Sequence, residues 1–161
     1  MPNFGWWPDM GINIVDKGKE GEREIVRLLS IVIERVIADG CYDEQTVSLL
    51  RAAPQRNQNQ SAVGGADIQL FGISFEVKRQ ETLSVNTWWK QCTDSARRNE
   101  DMPILIYRQN RKAWNVVMMA HLYVAPTQHL PARVETDIDT FEKWFFHWVK
   151  ACVASGYLDR V

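Results

Sequence analysis

The most regular pattern in the sequence is found in Asp67-Ile68-Gln69-Leu70-Phe71-Gly72-Ile73-Ser74-Phe75-Glu76-Val77-Lys78. Polar and apolar residues alternate strictly on both sides of Phe71-Gly72, and this pattern predicts a β-hairpin with that pair as its turn. Leu70 then pairs with Ile73, and counting outward places Asp67 directly opposite Glu76. A four-residue loop would keep this register, whereas a three-residue loop would shift it.

The alternation divides the predicted hairpin into a polar and an apolar face, because successive side chains of a strand point to opposite sides. The polar face carries Asp67, Gln69, Ser74, Glu76 and Lys78. The apolar face carries Ile68, Leu70, Ile73, Phe75 and Val77 and is expected to face the core.

Two carboxylates directly opposite each other destabilise a sheet. One interpretation is that Asp67 and Glu76 are solvated on an outer face, with Lys78 as a neutralising neighbour. The other is a divalent cation, because Mg²⁺ prefers carboxylate oxygens, a backbone carbonyl and water, and keeps room for a phosphate. Lys78 would then hold a water or balance phosphate charge. The regular alternation and the preceding Gly64-Gly65, which lets the backbone approach closely, favour the cation.

Length and composition indicate one globular domain: 161 residues, 45% hydrophobic and 24% charged. Nineteen basic and 20 acidic residues give a net charge of -1, which as a total argues against a nucleic-acid partner. The distribution differs from the total, because residues 78–112 carry 8 basic and 4 acidic residues while residues 1–77 carry 7 and 11. We interpret the basic middle segment as a face that follows phosphates.

Several classes of protein are excluded by the sequence. Three cysteines without a CxxC pair indicate neither a disulfide framework nor a zinc site, and they favour a reducing cytosol. The amino terminus does not look like a signal peptide and no apolar run is long enough to span a membrane. No HExxH, P-loop, GxGxxG or Ser/His/Asp set is present, which disfavours nucleotide cofactors and nucleophile catalysis. The expected location is the cytosol of a bacterium or of a phage-infected host, without membrane association.

Periodicity and breakers predict the remaining elements and an α/β fold in one domain. Residues 1–16, with Trp6 and Trp7, are predicted to be an arm, followed by one domain over residues 17–161 with its core motifs in 17–119. We expect helices over 19–38, 43–53, 84–98 (capped by Ser84) and 139–154, and strands over 103–108 and 112–120 around a turn at 109–111.

Three groups of residues resemble a known nuclease family. Residues 17–24, Lys17-Gly18-Lys19-Glu20-Gly21-Glu22-Arg23-Glu24, resemble the KGxxxERE opening of archaeal-type Holliday junction resolvases. Gly65-Ala66-Asp67 with Phe75-Glu76-Val77-Lys78 resembles their D...EVK core, and together these form a PD-(D/E)XK signature. Phage-encoded relatives add segments similar to 56–60, 89–91 and 107–111. Ala66 stands where the superfamily name implies Pro, and residues 40–64 are longer than in the compact archaeal members.

The resemblance implies a restriction-endonuclease-like core with a central mixed sheet flanked by helices, and a Mg²⁺ site for which Mn²⁺ substitutes. It assigns the metal to Asp67, Glu76, the Val77 carbonyl and Glu22, and the positioning of the attacking water to Lys78. Candidate DNA contacts, from the resemblance and from the basic segment, are Arg23, Arg56, Arg79, Lys90, Gln91, Arg108 and Arg111. Gln91 is expected to support the active site rather than to read a base.

The expected activity is Mg²⁺-dependent cleavage of branched DNA, most simply resolution of Holliday junctions by a homodimer, since two sites related by a two-fold axis place paired nicks. Alternatives are another nuclease on the same core (a nickase, a flap endonuclease or a repair exonuclease acting on duplex DNA), or a non-catalytic DNA-binding protein that keeps the fold.

Overall fold

The computed structural model describes residues 14–58 and 65–160 and confirms an α/β architecture. The helices are α1 (Ile14–Asp39), α2 (Glu44–Ala52), α3 (Val85–Asn99) and α4 (Ile138–Ala154), followed by a short 3-10 turn (Tyr157–Arg160). The strands are β1 (Ile68–Leu70), β2 (Ile73–Gln80), β3 (Met102–Gln109), β4 (Asn115–Ala125) and β5 (Gln128–Asp137). Within these ranges, no helix is both long enough and apolar enough to cross a membrane.

The five strands form one mixed sheet in the order β1-β2-β3-β4-β5. Only β2 and β3 are parallel, and α3 supplies the crossover that parallel neighbours require. The other neighbours are antiparallel. This arrangement is consistent with a restriction-endonuclease-like core.

The predicted hairpin register is confirmed. Leu70 pairs with Ile73, Gln69 with Ser74 and Ile68 with Phe75 around the Phe71-Gly72 turn. Both turn residues have positive φ, 51° and 72°, as a tight two-residue hairpin turn requires. Regular pairing ends at Ile68, so Asp67 lies just beyond the ladder and its N–H donates to the Phe75 carbonyl at 2.9 Å.

The helices cover both faces of the sheet. One core cluster lies between the sheet and helices α1 and α4, and it contains the apolar face of the hairpin together with Phe141 and Phe145. A second, smaller cluster lies under α3; it is formed by Trp88, Cys92, Leu105, Tyr107 and Val117.

Helix α3 covers the polar face of the hairpin, which corrects the interpretation that this face is solvated. Ser74 is fully buried there, and its hydroxyl donates to Asp101 at 2.8 Å. Asn99 near the end of α3 donates to the same hydroxyl at 3.1 Å. Tertiary packing thus turns an alternating strand into one that is buried on both sides.

Several boundaries differ from the sequence prediction. Helix α1 begins at Ile14, so the last residues assigned to the arm are helical, while Trp6 and Trp7 lie outside the described residues. Ser84 precedes α3 but its side chain makes no capping hydrogen bond. Lys112 belongs to the turn, since its N–H donates to the Gln109 carbonyl at 3.0 Å, and β4 starts three residues later.

The largest difference is an unpredicted strand. Strand β5 occupies part of residues 121–138, for which the pattern predicted no element. Its pairing with β4 continues to Ala125, well beyond Met118, where the pairing of β4 with β3 ends. We call the projecting residues 119–133 the β4–β5 arm. Side chains in this arm are largely exposed, Tyr123 by 73%, so within it neither strand shows the half-buried alternation by which strands are recognised; in β5 that alternation begins only at Ala132.

Candidate active site

Asp67 and Glu76 come together beneath α3, at the end of the hairpin away from its turn. Each is only 8% exposed. Lys78 lies two residues beyond Glu76 on the same face of β2, and its Nζ is 2.6 Å from the Glu76 Oε1. The strand alternation read from the sequence therefore does bring the two acids and the lysine to one place, and it brings them inside the protein.

The backbone holds Asp67 in position. Its Oδ2 accepts a hydrogen bond from the Val77 N–H at 2.7 Å, and its carbonyl accepts one from the Asn57 N–H at 2.8 Å. Asp67 is thus tied both to β2 and to the segment that follows α2.

The pKa of Asp67 is raised to about 7. Burial is the larger cause, and repulsion by the nearby Glu76 carboxylate is the second. Burial opposes the charge of Lys78, yet the adjacent Glu76 carboxylate holds the pKa of Lys78 above its ordinary value. Lys78 is therefore an ammonium ion at neutral pH, a hydrogen-bond donor rather than a base.

Glu22 reaches the same region from α1 and is only 6% exposed. Its Oε2 accepts a hydrogen bond from the Arg56 Nε at 2.6 Å, and the Arg56 side chain is 21% exposed. Arg56 forms an isolated antiparallel bridge with Ile68, which places its guanidinium between α1 and the hairpin.

The donor set fits a hard divalent cation. Asp67 and Glu76 offer carboxylate oxygens, the ligands that Mg²⁺ prefers, and a dication would offset the repulsion that raises the Asp67 pKa. Within residues 14–58 and 65–160, however, no three acidic, histidine or cysteine side chains are grouped closely enough to hold a metal. Glu76 is paired with Lys78, and Glu22 is paired with Arg56.

Glu76, one of the two acids, opens onto a polar cleft of about 380 Å³. Gly65, Glu76, Lys78, Gln91, Asp94, Ser95 and Arg98 line it. Gly65 packs tightly there, since an added Cβ would lie 2.9 Å from Asn57 Nδ2, and Gly64 lies outside the described residues.

Gln91 lies in this cleft as a neighbour of the acid pair. Ser95 and Arg98 also line the cleft, and neither was predicted from the sequence as a site residue. They follow Gln91 at helical spacings of four and seven residues, so the periodicity of α3 carried a signal for them.

The basic segment does not form one continuous face. Lys78 and Arg79 are consecutive in β2 and point to opposite sides of the sheet. Arg79 and Arg108 lie on the α1 side, where both donate to Glu24 Oε1, at 3.2 and 2.7 Å. The Arg108 guanidinium also lies 4.5 Å from the centre of the Trp114 ring. These two arginines tie α1 to the sheet, a role that the charge count alone could not indicate.

The remaining candidate DNA contacts lie on exposed surface. Arg23 is 3.6 Å from Glu20 on α1, Lys90 is 2.7 Å from Asp94 on α3, and Arg111 occupies the β3–β4 turn. Exposed ion pairs of this kind contribute little to stability, so their side chains are available to a ligand.

A family model described as Phage putative PDDEXK endonuclease matches residues 13–153. No curated protein and no solved structure matches the chain.

Proposed function

Since the chain belongs to this family of phage PDDEXK endonucleases, we propose that it is a Mg²⁺-dependent, structure-specific DNA endonuclease that resolves Holliday junctions. The observation that carries the proposal is the pair of buried, mutually repelling carboxylates with an ammonium 2.6 Å from one of them, at the edge of an open polar cleft. Such a pair has a high cost in a protein unless a cation balances it.

In this proposal Asp67, Glu76 and the Val77 carbonyl hold the cation, and Glu22 completes the site. When bound, Mg²⁺ supplies Lewis-acid polarisation of the phosphate and makes a bound water more acidic. Lys78 donates hydrogen bonds, because it is protonated, and it orients the attacking water and balances phosphate charge. Arg23, Arg56, Lys90, Gln91 and Arg111 are the proposed contacts to DNA around the cleft; Arg79 and Arg108 would act there only through their exposed edges.

Cleavage assays on a matched set of DNA substrates test this proposal. Purified protein is incubated with a four-way junction, a flap, a nicked duplex and a linear duplex, in Mg²⁺, in Mn²⁺ and in EDTA. We expect cleavage with either metal, none in EDTA, and a preference for the junction. Equal cutting of all four substrates would indicate a different nuclease, and cleavage in EDTA would contradict the metal site.

Substitutions separate catalysis from DNA binding. Glu76→Ala and Lys78→Ala should each lower the cleavage rate by at least about 100-fold, while a mobility-shift assay shows DNA binding retained. Glu142→Gln is the matched control, because Glu142 pairs with Arg35 on the α4 side of the sheet. Unchanged cleavage by Glu76→Ala would refute the site, and a wild-type protein that binds DNA without ever cleaving it would favour the non-catalytic alternative.

We also propose that the protein acts as a homodimer, because a junction needs two symmetric cuts. The β4–β5 arm offers a surface for this contact: Leu122 and Leu130 pair directly, are exposed by 47% and 54%, and belong to a stretch without acidic residues. Two copies can therefore meet there without bringing carboxylates together. All three cysteines are free thiols, which fits the cytosol of an infected cell as the place of action.

A further inference from the structure

The contact between Glu22 and Arg56 joins parts of the chain that are far apart in sequence. Arg56 Nε lies 2.6 Å from Glu22 Oε2, a short charge-assisted hydrogen bond between two largely buried side chains. The segment that carries Arg56 is anchored by its bridge to Ile68 and by the hydrogen bond from Asn57 to Asp67. The guanidinium is therefore held beside the acid pair.

Glu22 also lies within electrostatic range of the acid pair, since its charge acts on both Asp67 and Lys78. Even so, the described residues contain no three-carboxylate group that could hold a metal. Glu22 is thus paired with an arginine from a distant segment, whereas Glu76 is paired with Lys78 of its own strand.

We propose, on the basis of the proposed function, that Arg56 and Glu22 form a latch that opens when cation and DNA bind together. The Glu22 carboxylate leaves the guanidinium for the cation, and the guanidinium leaves Glu22 for a phosphodiester. A guanidinium fits a carboxylate and a phosphate with the same two-pronged geometry, so each charged group exchanges one partner for another of the same sign.

The latch makes the two ligands cooperative. A cation that binds alone leaves Arg56 without its carboxylate, and DNA that binds alone leaves Glu22 without its guanidinium. An unpaired buried charge is unfavourable, so each ligand by itself binds weakly and each strengthens the binding of the other by the same factor. A static contact that only positions Glu22 predicts the reverse, since loss of Arg56 would then weaken the cation site.

Titration calorimetry with Ca²⁺, a hard cation that prefers oxygen ligands, distinguishes the two roles without relying on activity. For protein without DNA, we expect Arg56→Gln to bind Ca²⁺ about 5- to 20-fold more tightly than the wild type, in the range of typical coupling between sites. Arg23→Gln is the matched control: it removes one positive charge near the same end of α1, but Arg23 is 55% exposed and lies beside Glu20. Its effect should be less than about twofold, as for a screened surface charge.

Two more variants keep the test decisive. Arg56→Lys retains the charge but offers a less well-oriented donor to Glu22. A latch therefore predicts Ca²⁺ binding between that of the wild type and that of Arg56→Gln, whereas a general field effect predicts no change. In a Glu22→Gln background, Arg56→Gln should change nothing further, because the competing carboxylate is already neutral. Circular dichroism confirms the fold of each variant.

Anisotropy of a labelled four-way junction, with and without Ca²⁺, measures the coupling. We expect Ca²⁺ to tighten DNA binding by the wild type and to have little effect on Arg56→Gln. The latch is wrong if Arg56→Gln binds Ca²⁺ as Arg23→Gln does, or more weakly than the wild type. If the wild type and every variant fail to bind Ca²⁺, Mg²⁺ or Mn²⁺, the proposed cation site itself falls, and the latch with it.

Discussion

Replacing Asp67 by asparagine tests whether the two buried carboxylates repel each other as the structure indicates. In the wild type the Val77 N–H donates to Asp67 Oδ2 at 2.7 Å. Asparagine keeps the shape of the side chain and an oxygen that can accept this hydrogen bond, so the main change is the loss of one buried charge. Burial, and then repulsion by Glu76, raises the pKa of Asp67 from 3.8 to about 7.

The sign of the effect follows from this shift. In the unfolded chain Asp67 loses its proton near pH 4, whereas in the folded protein it keeps the proton until about pH 7. Protonated Asp67 therefore favours the folded state at low pH, and this stability is lost as the pH rises through the folded-state pKa. Asparagine does not titrate, so the stability of Asp67→Asn does not fall with pH on account of this position.

The magnitude is large enough to measure. Between pH 5 and pH 8 the free energy of unfolding of Asp67→Asn should rise by roughly 2 to 3 kcal/mol relative to the wild type, from about 1.4 kcal/mol per pH unit over the titrating range. For a chain of this size, that corresponds to a relative increase in Tm of roughly 5 to 10 °C.

Urea unfolding in EDTA, at several pH values between 5 and 8, measures this difference, and a cleavage assay should show that the same variant is inactive. Asp43→Asn is the control, because the Thr46 N–H holds the pKa of that exposed capping carboxylate below its usual value and asparagine caps a helix equally well. A gap between Asp67→Asn and the wild type that stays constant with pH would refute the claim that a charged Asp67 is disfavoured in the fold.

The remaining predictions concern stability and assembly. Gly72→Ala should lower Tm because Gly72 has a φ of +72°. Gly18→Ala should raise Tm slightly, since a Cβ at that position in α1 meets nothing within 4 Å. Thermal scans in which both substitutions shift Tm in the same direction would contradict these predictions. Phe75→Ala should cost about 3 to 5 kcal/mol in urea unfolding, because the ring is fully buried, and a cost below 1 kcal/mol would rule out its place in the core. Leu122→Ser combined with Leu130→Ser should convert a dimer into a monomer by light scattering, with the far-UV circular dichroism of the fold retained and Tm no higher than that of the wild type. A wild type that is already monomeric refutes the homodimer.

The local elements could be predicted because their causes are local. Strict alternation around Phe71-Gly72 gave the correct hairpin register, and the helical spacing of apolar residues located the four helices to within a few residues. The residue types of the acid pair and Lys78 likewise indicated the chemistry of a cation site, since the alternation places Glu76 and Lys78 on one face.

Strand β5 could not be predicted in this way. It is held by its ladder with β4, its side chains are exposed over residues 128–131, and the alternating burial that marks a strand begins only at Ala132. Pro131 within the strand added a further signal against it, although proline is tolerated on an edge strand.

Local sequence was sufficient to predict the register of the hairpin and the polar face that carries Asp67, Glu76 and Lys78. Contacts between distant segments bury Asp67, which raises its pKa to about 7, and they place α3 over the polar face of β2. They also pair Glu22 with Arg56 and Arg79 with Glu24. These contacts could not be predicted because a strand's alternation is set by neighbouring residues, whereas burial and charge pairing depend on segments that only the folded chain brings together.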